Sequence, residues 1–213
     1  MGTFSELLQI QKGVTAIIGS GGKTSLLYLL AGELAEIGSV LICTSTHILP
    51  PDRIPVAEQA EAVEGILCVG TPCKNGKLTA PKQSFEELAT LADYVLVEAD
   101  GSKHLPLKAH LAHEPVIPEN AENVILVVGA SGLNGPVLDV VHRPEQFRLL
   151  SGSDIATPEA VAAVLQKEAL HHRVLINQAD SPPRTEAALA LAKLLSCPVA
   201  AVSLQKGEIL CSY

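Results

Sequence analysis

Tryptophan is absent from the 213-residue chain, which also has only three Phe, three Tyr and one Met. The core must therefore be aliphatic, and a hydrophobic content of 47% is enough to build one and to exclude general disorder. Base is also scarce. Fifteen Lys and Arg stand against 23 Asp and Glu, a formal charge of −8, which is the opposite of the basic footprint of a nucleic-acid binder. No apolar run reaches the roughly 18 residues that span a bilayer, so no membrane partner is expected. The five cysteines, at positions 43, 68, 73, 197 and 211, form no C-x-x-C pair, which fits a reduced, cytoplasmic protein. The opening MGTFSELLQIQKG carries acid, amide and base where a signal peptide would be apolar, and Glu6 stands where a myristoylation motif needs Ser or Thr.

What the chain does have is alternation. Short, almost wholly apolar runs read as strands at Val14–Ile18, Val40–Cys43, Tyr94–Val97, Asn123–Val128, Val174–Ile176 and Val199–Val202. Helical patterns lie between them: Lys23–Ile37, stopped by Gly38; a short one at Val56–Glu64; one opened by Ser84 with Glu86 and Glu87; Thr157–Ala169; and Pro183–Leu195. Ile66–Val69 and Lys77–Thr79 flank Asn75-Gly76, a hairpin signal read as an insertion at the sheet margin. His104–Pro118 reads as a long surface loop. The pattern predicts a single α/β domain over residues 1–213, a three-layer, open and mostly parallel sheet with a small β-hairpin insertion, and the glycine-rich segment Gly19–Ser25 after its first strand makes the expected fold P-loop NTPase-like.

The strongest chemical signal is Gly19-Ser20-Gly21-Gly22-Lys23-Thr24-Ser25, placed after a strand and at the opening of a helix. Small residues let backbone N–H groups turn around an anion, and the helix N-terminus adds a favourable dipole. Lys23 would neutralise β- and γ-phosphate charge, and Thr24 would ligate Mg²⁺. Ile17 replaces the first glycine of the longer phosphate-loop pattern, which leaves the compact G-x-x-G-K-T form that resembles the loop of Mur-type ligases.

Such a loop needs an acid at the end of a neighbouring strand to hold the metal. Glu98 and Asp100 close an apolar strand at period-two spacing, with Gly101 after them. Glu98 is the metal candidate, and Asp100 a candidate for orienting water or acceptor. Glu98-Ala99-Asp100-Gly101 resembles the E-x-x-G form found in metallochaperone GTPases. Asn177-Gln178-Ala179-Asp180 falls where those proteins place the N-K-x-D base-reading motif, with Gln178 in place of Lys. The nucleotide is therefore expected to be ATP or GTP.

Taken together, the phosphate loop, Thr44-Ser45-Thr46-His47, the block Glu98-Ala-Asp-Gly-Ser-Lys-His-Leu-Pro-Leu-Lys-Ala109 and His113-Glu114-Pro115-Val116-Ile117-Pro118 resemble the YqeC family of selenium-dependent hydroxylase accessory proteins. The resemblance implies an accessory factor in selenium or molybdenum cofactor maturation, with a molybdenum hydroxylase as client. As an enzyme it would be an NTP hydrolase or phosphoryl transferase. The alternatives are a non-hydrolysing carrier of a nucleotide-containing cofactor and an ATP-dependent ligase or kinase.

Three further groups merit attention. Ser102, Lys103, His104 and Lys108 make a partly basic loop suited to an anionic small molecule. Arg143 follows a Gly-rich loop and could face a phosphate or carboxylate, or form an ion pair. His110, His113 and Glu114 have the residue types of a transition-metal site, although Glu114 precedes a proline that favours extended backbone.

Overall fold

The computed structural model describes residues 2–212. In chain order its elements begin with α1 (Phe4–Leu7), β1 (Gly13–Gly19), α2 (Lys23–Leu34), β2 (Val40–Thr44), β3 (His47–Ile48), β4 (Val56–Ala57), β5 (Ile66–Val69), β6 (Thr71–Pro72), β7 (Leu78–Thr79), α3 (Phe85–Leu91) and β8 (Tyr94–Glu98). They continue with β9 (Leu107–Lys108), β10 (Ala121–Gly129), α4 (Val137–Val140), β11 (Val141–His142), α5 (Pro144–Ser151), α6 (Pro158–Glu168), β12 (Arg173–Asn177), α7 (Pro182–Ala192), β13 (Val199–Ser203) and β14 (Glu208–Ser212). Contacts divide the chain into two compact units. One runs up to Ile18 and includes Thr24–Gly101 and Val116–Val124; the other comprises Gly19–Lys23, Ser102–Pro115 and the chain from Ile125 on.

In the first unit β8 is flanked by parallel β1 and β2, and β5 and β4 follow in parallel on the far side of β2. Every residue of β2 and β8 is buried, as befits central strands of a parallel sheet covered on both faces. Val14, Leu41, Cys43, Val69, Leu88, Val95 and Val97 form one core cluster. The helix α3 that closes it opens with a capping box. The Ser84 side chain accepts from Glu87 N, and the Glu87 carboxylate reaches back to Ser84 N. In the second unit β10, β12 and β13 are parallel, and β14 runs antiparallel on β13. Helix α6 is capped by Thr157, with Pro158 at its start. The expected α/β architecture of mostly parallel strands is what forms.

Several local expectations are corrected. Helix α2 ends at Leu34; Ile37 lies in the following turn, where Gly38 N bonds Leu34 O, and is 68% exposed. Val56–Glu64 forms no helix. Its start is strand β4, and the Gln83 side chain takes both backbone groups of Ala60 (Ala60 N to Oε1 at 2.7 Å, Nε2 to Ala60 O at 3.0 Å), removing bonds a helix would have used. The Asn75-Gly76 hairpin forms, but its strands are β6 and β7, with β3 added, whereas Ile66–Val69 joins the main sheet beside β2. The 104–118 segment is not a plain surface loop: Leu107, Lys108, Ala109 and His110 are buried, and β9 pairs with β11. Helix α5 and strand β14 were not expected.

Candidate functional site

The loop between β1 and α2 is built around its glycines. Gly21 and Gly22 have φ of 86° and 129°, conformations that side chains disfavour. There is no room either: a Cβ on Gly21 would meet the backbone of Gly129, and one on Gly22 would meet the side-chain amide of Asn177. Ser20 anchors the loop from the other side, its N–H donating to Val127 O at 2.8 Å and its hydroxyl to Leu105 O. Lys23 is buried, with Nζ donating to Gly19 O at 2.8 Å and lying 3.4 Å from Ser102 Oγ. Lys23 is thus held against the backbone of its own loop. Thr24 and Ser25 open the helix and are exposed.

Thr24 connects that helix start to the carboxylate strand. Its Oγ1 donates to Glu98 Oε2 at 2.8 Å. Glu98 ends β8 and is 8% exposed; Asp100, at 1%, lies just beyond the strand end. Opposite Glu98 in the register is Thr44, the last residue of β2. Thr44 Oγ1 donates to Glu98 O at 2.8 Å and accepts from Thr46 N at 3.0 Å, while Ser45 N donates to Glu98 O at 3.2 Å. Ser45 Oγ is buried with no hydrogen-bond partner among the described residues. The side-chain donors brought together here, Thr24 Oγ1 and Glu98 Oε2, are both oxygen. Two oxygens 2.8 Å apart match the roughly 2.9 Å between adjacent ligands of an octahedral ion with bonds of about 2.0–2.1 Å, which is the Mg²⁺ geometry. The set fits Mg²⁺ and is wrong for soft metals.

At the end of β12 the structure places the base-motif candidates. Asn177 Nδ2 donates to Gly21 O at 2.8 Å, and its Oδ1 accepts from Leu204 N at 3.0 Å. Asn177 therefore braces the phosphate loop against the residue that follows β13, across 156 positions of sequence. Gln178 has a left-handed φ of 65°, and its Oε1 accepts from Ser131 Oγ at 2.6 Å. Asp180 Oδ1 accepts from Ser203 Oγ at 2.5 Å, and Arg184 Nη1 lies 3.8 Å from Oδ2.

Of the residues considered for a transition metal, His113 is exposed, and His110 and Glu114 have other partners. The backbone N–H and ring Nδ1 of His110 each meet Glu168, N to Oε1 at 2.6 Å and Nδ1 to Oε2 at 2.7 Å. Glu114 is held by Arg143 (Nη2 to Oε1, 2.7 Å; Nε to Oε2, 3.3 Å) and lies 3.5 Å from Lys108 Nζ. Among the described residues no group of three or more His, Cys, Asp or Glu is arranged to hold a metal ion. Nor is any helix among them long and apolar enough to cross a membrane.

Comparison with known proteins places these features in a wider set. The model of a family described as "YqeC protein" matches residues 15–145, from within β1 to the start of α5. A relative from Escherichia coli (strain K12), titled "Uncharacterized protein YqeC", is 34% identical over 165 residues, which is 69% of this chain and 62% of the relative. The chain thus spans less than two thirds of that relative's length. Among solved structures, FtsY from Mycoplasma mycoides is similar with a TM-score of 0.42 and 16% identity, over 89% of this chain and 60% of that one; so distant a likeness carries no argument.

Proposed function

The chain belongs to the YqeC family, and from that premise and the geometry above we propose that it binds a nucleoside triphosphate with Mg²⁺ and hydrolyses it, or transfers its phosphoryl group. The step would serve maturation of a selenium- or molybdenum-containing hydroxylase, the role that the block from Glu98 to Ala109 suggests by its resemblance. The observation that carries the chemistry is the 2.8 Å contact between the Thr24 hydroxyl and the Glu98 carboxylate. It brings the first turn of the phosphate-loop helix to the end of the carboxylate strand, where a phosphate-bound Mg²⁺ needs oxygen ligands.

In this reading the phosphates lie on the N–H groups of Gly21 to Thr24. Lys23 turns from the Gly19 carbonyl to the β- and γ-phosphates. Thr24 and Glu98 hold Mg²⁺, which would neutralise charge on the phosphate oxygens. Asp100, buried just past Glu98, orients the attacking water or acceptor. Asn177 keeps Gly21 and Gly22 in place.

Calorimetry with ATP, GTP and CTP, with and without Mg²⁺, tests the binding. Lys23→Ala should fold and bind triphosphate about ten- to a hundredfold more weakly, the loss of one desolvated charge-assisted contact. Unchanged binding in that variant overturns the assignment. Tight binding without single-turnover hydrolysis or phosphoryl transfer would leave the carrier reading in its place.

A further inference from the structure

Within the second unit the segment from Ser102 to Pro106 lies against the phosphate loop. Lys23 Nζ donates to Ser102 Oγ at 3.4 Å. Three residues on, Leu105 O accepts from the Ser20 hydroxyl, and a Cβ on Gly21 would meet Pro106 O at 3.0 Å. Pro106 O also accepts from Gly129 N at 2.9 Å, which fixes the far end of the segment on β10. Ser102 is thus held beside Lys23 by a segment that is itself anchored on the loop.

The backbone between these contacts is strained. Leu105 N donates to Ser102 O at 3.0 Å and closes a turn whose two central residues, Lys103 and His104, have φ of 49° and 62°. Turns with two positive φ values are dominated by Gly, Asn and Asp, and a side chain such as that of Lys103 disfavours the conformation. Strain of this kind persists where surrounding contacts over-determine it, and it clusters at ligand sites. What the turn achieves here is the position of the Ser102 hydroxyl at the Lys23 ammonium. The contact leaves that hydroxyl with work to do. An ammonium only donates, so Ser102 Oγ accepts, and the serine's own proton is not used between the two. Ser102 is half-buried and Lys23 is 5% exposed, so a hydrogen bond made at this place is largely shielded from water.

We propose that Ser102 is the residue by which the site tells a triphosphate from a diphosphate, its hydroxyl donating to the terminal phosphate that Lys23 holds. The inference rests on the triphosphate reading above. In that reading the loop amides serve the inner phosphates and Lys23 reaches from them to the outermost. A hydroxyl that stands at Nζ but belongs to another segment meets the phosphate that the loop leaves open. Its bond to a charged oxygen is of the strong kind, and a diphosphate offers it no partner. Ser102 therefore adds to affinity only when the terminal phosphate is present.

The test is calorimetry of the full chain in Mg²⁺ with ADP, GDP and the β,γ-imido analogues of ATP and GTP, which are not hydrolysed. The variants are Ser102→Ala, Ser102→Thr and Lys23→Ala. Ser102→Ala should bind the triphosphate analogue about tenfold more weakly, the loss of one hydrogen bond to a charged group, and should bind the diphosphate as the wild type does. Ser102→Thr, which restores a hydroxyl, should recover most of the preference. Should Ser102→Ala fail to fold, Ser102→Cys decides, since it keeps the size and replaces the hydroxyl by a weak donor. The proposal is overturned if Ser102→Ala keeps the wild-type ratio of triphosphate to diphosphate affinity, whether both stay unchanged or both fall together; the second result would assign Ser102 to the shape of the loop. In either case triphosphate binding that still weakens in Lys23→Ala leaves the proposed function standing. A wild type that binds no nucleotide overturns both.

Discussion

Thr24 is exposed, yet its hydroxyl is fixed on Glu98. Under the proposed function, this contact is where binding and turnover can be told apart. A carboxylate that holds Mg²⁺ acts mainly on charge that develops as the γ-phosphate is transferred. Glu98→Gln should therefore lower single-turnover hydrolysis far more than it lowers metal-free nucleotide binding, and Asp100→Asn should do the same through the attacking water. Wild-type rates in both variants would make the carboxylate strand purely structural. Glu114 makes a second prediction at this scale. Burial pushes its pKa up, but the Arg143 hydrogen bond and the charges of Lys108 and Arg143 outweigh burial and hold it at about 2, against an ordinary 4.5. A carboxylate depressed on folding stabilises the native state fully above its unfolded value and loses that stabilisation as pH falls from 4.5 towards 2. Thermal melts at pH 5, 4 and 3 should fall steeply for the wild type. Glu114→Gln should melt lower at pH 5 and depend less on pH; parallel slopes would remove Glu114 from the acid response.

Among the elements, α3 gives the clearest energetic test, because its two anchors act separately. Leu88 is fully buried in the cluster with Val95 and Leu41, so Leu88→Ala should cost about 2–5 kcal/mol. Ser84→Ala removes one half of the capping box at an exposed end and should cost about 1 kcal/mol. Urea unfolding of both variants measures the contrast, and equal losses would contradict it. Ser84 and Thr157 were legible in the sequence because caps are local, and the core strands were legible because each is a continuous aliphatic run. Helix α5 was not: Phe147 is its one buried side chain and Leu149 is 77% exposed, so no apolar stripe marks it. Strand β14 alternates exposed and half-buried residues on an edge, a weak signal beside the buried runs. Val56–Glu64 misled because its start pairs with β5 and both backbone groups of Ala60 are taken by Gln83, more than twenty positions away. In the site, the phosphate loop and Glu98 were readable as motifs. The Asn177 brace and the Arg143–Glu114 grip join residues 156 and 29 positions apart, and nothing local announces such pairs.

At the scale of the whole molecule, ligand binding appears as stability. A nucleotide that binds only the folded chain, at about a hundred times its Kd, adds about 2.7 kcal/mol. For a chain of this size that amounts to a Tm rise of roughly 5–11 °C. The rise should require Mg²⁺ for its full size and should largely vanish in Lys23→Ala. Base choice can be read from the same melts. Asn177 has both ends of its amide committed to Gly21 and Leu204, and Gln178 is turned to Ser131. That leaves Asp180 as the motif residue able to read a guanine edge, and its carboxylate is already oriented by Ser203. A single reading group discriminates by leaving the wrong base's groups unpaired. GTP should therefore raise the Tm somewhat more than ATP does. Asp180→Ala should bring the GTP rise down to the ATP value without changing the latter. If ATP gives the larger rise in the wild type and Asp180→Ala alters neither, the Asn177–Asp180 segment serves only to brace the loop, and the nucleotide is ATP.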